Sequence, residues 1–259
     1  MALVPADNVP APQPRGLRYG LFTVANGPLP LPAHGAGGGV IYQPESCGHA
    51  HSYPVDCPDE SPTPEKIFDS MPDPVTAEPF VVYGSLQCGS AGKTQAELEA
   101  AVRRNLASGE QAQAEAELAV ILDAGAAGLG AAVDIVDAVS RLEQWLYGIE
   151  SADYGHIGYL HASPEVAAYA GEASLIVDQG AVKRTPYGTL WSIGGGYPEG
   201  TLYISGQVTV WRSSDVFVPE LDQTLDRSTN QYYIVAEREY AVAYDCVANS
   251  ITLDLGGSP

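Results

Sequence analysis

Four residues near position 50 carry the side chains that zinc prefers. Cys47 begins the sequence Cys-Gly-His-Ala-His, and Cys57 follows, so Cys47, His49, His51 and Cys57 offer two thiols and two imidazoles. Four such ligands can close a tetrahedral zinc site. The spacing is not that of a standard zinc knuckle, and a Cys47–Cys57 disulfide bond or two free thiols would serve equally well. We therefore keep these residues as weak metal candidates and predict no bound metal or other cofactor.

The remaining cysteines, Cys88 and Cys246, lie far apart in the sequence. They can pair only if the last strand lies beside the start of a long helix, which the sequence does not decide. Four cysteines are too few for a disulfide-dependent fold in a chain of 259 residues. The cysteines therefore need a local explanation.

A second candidate is a phosphate-binding loop at Gly89–Thr94. A short strand leads into the sequence Gly-Ser-Ala-Gly-Lys-Thr, which opens a helix, and helix N-termini attract phosphate. The Walker pattern requires a glycine five residues before Gly92, but Gln87 stands there. Thr94 also has a sufficient role as a helix cap. A nucleotide-binding protein that uses Lys93 and Thr94 is therefore the weaker alternative.

Hydrolytic chemistry is a third possibility, because His156, His161 and Ser163 lie close together in the sequence. The chain has no Gly-x-Ser-x-Gly elbow, and His161 is better interpreted as a residue at the end of a strand. The glycine run at 194–197 lies between strands, which favours a turn over a dinucleotide-binding loop. We predict that the protein is not an enzyme.

The composition disfavours several classes of function. The chain has 32 acidic and 12 basic residues, so its formal net charge is −20, and such a surface repels nucleic-acid backbones and anionic lipids. The N-terminal sequence lacks a basic stretch followed by an apolar one and predicts no signal peptide. Acidic residues and glycines interrupt the most apolar stretch, residues 116–139, so it should not span a bilayer. We expect a soluble protein made in a cytoplasm.

Prolines and helix caps divide the chain into an extended first part and three helices. Fifteen of the 20 prolines precede residue 80 and predict an extended arm and loop. The sequence Thr-Gln-Ala-Glu at 94–97 is a capping box that opens a helix to Leu122, either continuous or divided at Gly109. A second helix is predicted at about 132–147. Ser163 and a following proline begin a short third helix that ends at Gly171.

Apolar and β-branched runs predict strands in the remainder of the chain. The predicted strands are 79–83, 157–161, 175–177, 202–212, 216–218 and 232–244. Gly, Pro and an Asp-Arg-Ser turn separate the later ones. The pattern indicates an α+β fold with an extended N-terminal arm.

This order of elements resembles the Hong Kong 97-type shell fold, which major capsid proteins of tailed phages share with encapsulins. The similarity is greatest to shell proteins of phages of actinobacterial, high-G+C hosts. The sequence segments that carry the resemblance are Ala107–Leu122, like the end of the spine helix; Gly158–Glu165, like the strand-to-helix step of the axial domain; Thr185–Gly188 with Gly194–Tyr197; and Leu225–Asn230 running into Ala236–Arg238.

The resemblance implies a division into four parts. Residues 1–93 would form the N-terminal arm and extended loop, and 94–123 the spine helix of the peripheral domain. Residues 124–215 would form an axial-type domain, and 216–259 the return strands of the peripheral domain.

The resemblance also implies a function. The chain would be a structural virion protein, a major capsid subunit that assembles in the host cytoplasm, in many copies, around the phage genome. It would contact DNA without sequence specificity, and no membrane. Another virion role, in a tail, connector or decoration protein, is the alternative. The residues expected to contact other subunits are Leu17, Tyr19, Leu21, Phe22, Leu98, Val102, Tyr232 and Tyr233.

Overall fold

The fold is taken from a computed structural model of the chain. It describes residues 18–33, 35–44, 47–52, 65–89, 94–149, 151–219 and 225–254. Three residues with an expected role, Leu17, Cys57 and Lys93, lie outside these ranges.

Helices and strands alternate irregularly, in an α+β arrangement. The helices are α1 (Leu21–Val24), α2 (Gly35–Gly38), α3 (Gln95–Gly125), α4 (Ile135–Tyr147) and α5 (Pro164–Glu172). The strands are β1 (Asn26–Pro30), β2 (Val40–Tyr42), β3 (Val75–Ala77), β4 (Pro79–Gly89), β5 (Ala131–Ala132), β6 (Tyr159–Ala162), β7 (Val177–Gln179), β8 (Val182–Arg184), β9 (Leu190–Ile193), β10 (Thr201–Ser205), β11 (Val208–Arg212), β12 (Leu225–Asp226), β13 (Gln231–Tyr244) and β14 (Ala248–Leu253).

The long helix α3 begins at the predicted capping box. The Thr94 hydroxyl accepts the amide N–H of Glu97 at 3.4 Å, and the Glu97 carboxylate accepts the N–H of Thr94 at 2.7 Å. The helix continues through Gly109 to Gly125 without a break, so the continuous version of the prediction is confirmed. Tertiary packing along the whole helix outweighs the low helix propensity of one glycine.

A five-stranded sheet lies against α3. Its order is β1-β11-β13-β12, with β4 paired antiparallel to β13 from Pro79 to Gly89. The side chains of α3 that face the sheet are fully or almost fully buried and include Leu98, Val102, Leu106, Leu118 and Leu122. One closely packed core therefore joins the helix to its sheet.

An ion-pair cluster also ties α3 to the sheet. The carboxylate of Glu110 accepts hydrogen bonds from Arg238 at 2.8 Å and from the Tyr240 hydroxyl at 2.7 Å. Arg212 lies 3.6 Å from the other oxygen of the same carboxylate. Because two arginines and a hydroxyl satisfy it, this mostly buried charge is compensated.

A second layer is built on a seven-stranded sheet of order β5-β14-β10-β6-β9-β8-β7. Helices α4 and α5 pack on it around Trp191, Leu160, Leu142 and Ile204, which are all fully buried. Helix α5 begins as the sequence predicts, because the Ser163 hydroxyl accepts the amide N–H of Val166.

Several predicted strands differ from the observed ones. The run 202–212 forms two strands, β10 and β11, in different sheets, because Gly206 and Gln207 separate them. The strand predicted at 175–177 is the hairpin strand β7, and 216–218 makes only one bridge, between Phe217 and Glu237. Among the described residues, no helix is both long enough and apolar enough to cross a bilayer.

The chain passes between the two sheets more than once near its end. Strand β11 pairs with β13 in the five-stranded sheet, whereas β14 pairs with β10 in the seven-stranded sheet. The sheet that each strand joins depends on pairing between distant strands, which local patterns do not encode.

Two glycines near the α3–β4 contact should respond oppositely to substitution. A Cβ at Gly84 would lie 2.4 Å from the backbone nitrogen of Leu106, whereas a Cβ at Gly109 would meet nothing within 4 Å. We expect Gly84→Ala to lower the free energy of unfolding by about 1–3 kcal/mol, and Gly109→Ala to raise it by about 0.5–1 kcal/mol. Urea denaturation of the purified protein measures both; equal effects would contradict the close contact at Gly84.

Candidate functional site

The first described residues are anchored on their own chain. The N–H of Leu21 donates to the Glu115 carboxylate at 3.1 Å, and the carbonyl of Tyr19 accepts the N–H of Ile193 at 2.9 Å. The ring of Phe22 stacks on Tyr240 at 5.9 Å between centroids. Residues 19–22 are therefore bonded to and packed against this chain's own core.

The buried carboxylate of Glu115 lies at the centre of this anchor. It is inaccessible to solvent and also accepts the N–H of Gly196 at 3.3 Å. Burial raises its pKa, while the two backbone donors oppose the shift. A Cβ at Gly194 would overlap the carboxylate, so the turn at 194–196 needs glycine to approach it. The glycine run is a turn, as predicted.

A buried polar network lies next to this anchor. His161 contacts the Ser205 hydroxyl through Nε2 at 2.8 Å and the Tyr197 hydroxyl through Nδ1 at 3.2 Å, and Tyr197 also contacts Ser192. Complete burial lowers the pKa of His161 to about 3. Ser163 is occupied as a helix cap. His161 is therefore a neutral core residue with both ring nitrogens engaged, rather than a general base for Ser163.

The predicted metal ligands are arranged differently from a zinc site. Cys47 forms a disulfide bond with Cys246, so its sulfur is not a thiolate ligand. His49 faces Asp153 at 3.4 Å, and His51 faces Asp69 at 3.1 Å. Within the described ranges, the one cluster of metal-ligating type consists of Asp245 and these two bridged cysteines. The zinc interpretation is therefore wrong for Cys47, His49 and His51.

The disulfide also overturns both pairings considered from the sequence. Cys47 cannot bond to Cys57 because its sulfur is bonded to Cys246, and Cys88 is a free, half-buried thiol. The two bridged cysteines are separated by 199 positions. No sequence spacing signals such a pair, because the fold alone brings the loop at 47 to the turn between β13 and β14.

The expected subunit-contact residues fall into two groups. Leu21, Leu98 and Val102 are fully buried within the chain, so their side chains form its own core rather than an outer surface. Tyr19, Phe22 and Tyr232 are half-buried, and Tyr233 is 46% exposed.

An exposed patch on the five-stranded sheet was missed. Val81 and Tyr83 on β4 lie opposite Glu239 and Glu237 of β13, and Phe217 bridges to Glu237, so these three large, exposed side chains lie at the same end of the sheet. Tyr233 is also exposed but lies opposite Gln87, further along β4. The period-two alternation of strand β4 could have indicated this face, because Val82 and Gly84 point toward α3.

The disulfide gives the first prediction for this region. We expect peptide mapping under non-reducing conditions to link Cys47 to Cys246, and the link to persist in Cys57→Ser. Cys246→Ser should lower the free energy of unfolding by about 2–4 kcal/mol, since the bridge closes a long loop of the unfolded chain. A map that joins Cys47 to Cys57 would contradict the structure.

The buried Glu115 gives a second prediction, on pH. Because its folded-state pKa is raised, its favourable contribution is complete below its unfolded pKa and is lost as the pH rises through the folded value. Relative to Glu115→Gln, the natural protein should therefore lose stability as the pH rises from about 4, the usual pKa of an unfolded glutamate, toward neutral pH. Urea unfolding of both proteins across this range measures the difference. A difference that grows with pH would show that the carboxylate is stabilised in its charged form.

Comparisons with known proteins identify the fold. No protein-family model and no curated protein sequence matches the chain. A solved structure of Mycobacterium phage Che8 matches with a TM-score of 0.56 and 12% identity over 98% of each chain. One of Mycobacterium phage Bobi gives 0.55 and 12%, over 100% of this chain and 96% of that chain.

A third solved structure is described as a capsid. The capsid of an empty GTA particle matches with a TM-score of 0.54 and 14% identity, over 93% of this chain and 99% of that chain. The matches extend over nearly the whole length of both partners, so they include both sheets and the long helix. The chain has the Hong Kong 97-type capsid fold.

Proposed function

We propose that this chain is a major capsid protein, the self-assembling subunit of a phage head shell. The observation that carries the proposal is the match of the whole fold, at nearly full length in both directions, to phage structures and to a GTA capsid. In this proposal α3 is the spine helix of the peripheral domain, and the seven-stranded sheet belongs to the axial domain. The work of the protein is then geometric rather than catalytic.

The surface supports a role in assembly. Large apolar side chains are exposed on the five-stranded sheet, including Val81, Tyr83 and Phe217, and in the segment before β3, including Phe68. Exposed apolar side chains grouped in this way favour contacts with other protein surfaces. The proposed partner for them is another copy of the same chain.

The charge of the chain supports the expected relation to DNA. A net charge of −20 provides few of the cationic contacts that create non-specific affinity for phosphate. A shell of such subunits would enclose a genome without binding its sequence. We therefore place the protein in the virion, with assembly in the host cytoplasm.

The test is electron microscopy of the purified full-length protein, with light scattering to give the particle mass. We expect closed shells of uniform diameter. If the protein alone gives monomers, co-expression with the neighbouring virion proteins is expected to produce the shells, because these would supply any scaffold.

Four outcomes would contradict the proposal. Rings or tubes would indicate a connector or tail protein, and binding only to preformed capsids would indicate a decoration protein. Nucleotide binding that Lys93→Ala abolishes would indicate the phosphate-loop alternative. Absence of shells under both expression conditions would overturn the capsid assignment.

A further inference from the structure

The segment between β2 and β3, residues 43–74, makes hydrogen bonds within itself, and we call it the strap. Its described parts are 43–44, 47–52 and 65–74. The Asp69 carboxylate accepts the backbone N–H of His49 at 3.0 Å, and the Gln43 side chain donates to the carbonyl of Pro72. These bonds join the two arms of the strap to each other rather than to the sheets.

Two contacts join the strap to the body of the chain near one point. The disulfide bond links Cys47 to Cys246, in the turn between β13 and β14. The ring of His49 faces Asp153 at 3.4 Å, and 41% and 25% of these two side chains are exposed. Ion pairs exposed to this degree contribute little to stability. The disulfide bond is therefore the stronger of the two attachments.

The strap covers an apolar cavity of about 350 Å³. Pro44 and Pro72 of the strap line one part of its wall, and Ile121 on α3 and Val242 on β13 line another. Both cysteines of the disulfide bond also belong to the wall. Movement of the strap away from the body would expose these apolar side chains to water, so the bond controls access to the cavity.

A second cavity, of about 330 Å³, also reaches the disulfide bond. Both cysteines line it, together with His49, Trp145 and Asp153. The bond therefore lies in the wall between two cavities, and both cysteines are only half-buried. A small thiol can approach its sulfur atoms without unfolding of the core. Exposed disulfide bonds of this kind are the ones that exchange and regulate.

The compartment in which the chain is made favours the reduced form of this pair. Thiols are kept reduced in a cytoplasm, and disulfide bonds persist in oxidising surroundings. The proposed function places assembly in the host cytoplasm and the finished particle outside the cell. The two cysteines would then be thiols during assembly and would meet an oxidising medium after release.

We propose that Cys47 and Cys246 form an exchange site for small thiols and disulfides, whose oxidation fastens the strap over the apolar cavity. In the reduced chain the strap opens from the body; in the oxidised chain it is closed. The timing of closure, after release from the cell, rests on the proposed function. The exchange itself needs only one copy of the chain.

Closure transfers two electrons to a small disulfide such as oxidised glutathione. One cysteine thiolate attacks a sulfur of glutathione disulfide, which forms a mixed disulfide and releases one glutathione thiolate. The second cysteine thiolate attacks the protein sulfur of the mixed disulfide and displaces the other glutathione. Two protein thiols are thus oxidised, and the small disulfide is reduced to two thiols, which take up the two protons that the cysteines lost. Opening is the reverse of these steps.

The first arm of the test counts thiols in full-length protein with Cys57→Ser and Cys88→Ser, which leaves only the proposed pair. Cells with a reducing cytoplasm are quenched in acid, and thiols are alkylated with N-ethylmaleimide and counted by mass spectrometry. We expect two alkyl groups per chain from cells, none after oxidised glutathione, and two again after reduced glutathione. A bond already present in the cells would overturn the timing. A bond in the folded protein that resists reduced glutathione would overturn the exchange site.

The second arm measures opening of the strap by hydrogen exchange with mass spectrometry on the same protein. Val40–Tyr42 pairs with Val75–Ala77 at the base of the strap. We expect these amides to exchange roughly ten-fold faster after reduction, because loss of the cross-link makes local opening easier. The matched control, Cys246→Ser in the same background, should exchange at the fast rate with or without reductant. Faster exchange throughout α3 as well would indicate general destabilisation and overturn the local opening.

An uncharged apolar dye, Nile red, tests access to the cavity. Reduction should increase its fluorescence, since the walls beneath the strap become accessible. Cys246→Ser should give the higher fluorescence without reductant. Equal fluorescence in the oxidised and reduced protein would show that the strap stays over the cavity and would overturn the proposed opening.

The outcomes separate this inference from the proposed function. Closed shells in electron micrographs, with hydrogen exchange in β2 and β3 that is the same in both redox states, overturn the opening of the strap and leave the capsid function standing. A strap that opens and closes with the thiol state, in a chain that builds no shell, supports this inference and contradicts the capsid function.

Discussion

The carboxylate of Glu115 joins three parts of the chain that are remote in sequence. Its two oxygens accept backbone N–H groups from the first described segment and from the glycine turn after β9, while its own backbone belongs to the long helix. A carboxylate without water is costly to bury, so these donors must be in place for the fold to close around it. The Glu115 carboxylate therefore links the two sheets, because α3 packs on the five-stranded sheet and the glycine turn follows β9 of the seven-stranded sheet.

The helices of this protein could be predicted well because their signals are local. Two of the helices begin at caps formed by a few adjacent residues, at Thr94 and at Ser163. The strand at 231–244 was predicted in the same way, from its local apolar pattern. The sequence did not decide whether α3 continues through Gly109, because helix propensity takes no account of how the helix packs on its sheet before and after that residue.

The parts that were not predicted depend on distant contacts. The pairing of Cys47 with Cys246, the entry of β14 into the seven-stranded sheet and the burial of Leu21 against Glu115 each join residues separated by many tens of positions or more. Local periodicity carries no information about such pairs. For the same reason the expected contact residues were chosen by apolar character, which does not distinguish Leu98 in the core from Tyr83 on the surface.

The anchor of Tyr19 and Leu21 has a consequence for the order in which a growing chain acquires its structure. These residues leave the ribosome early, but the groups that hold them, Ile193 and the turn that orients Glu115, are synthesised more than 170 residues later. Synthesis proceeds at about 5–20 residues per second, so this segment waits for roughly 9 to 35 seconds before its binding partners exist. Tyr19 and Leu21 are thus made well before the turn at 194–196 but can take their final positions only after it.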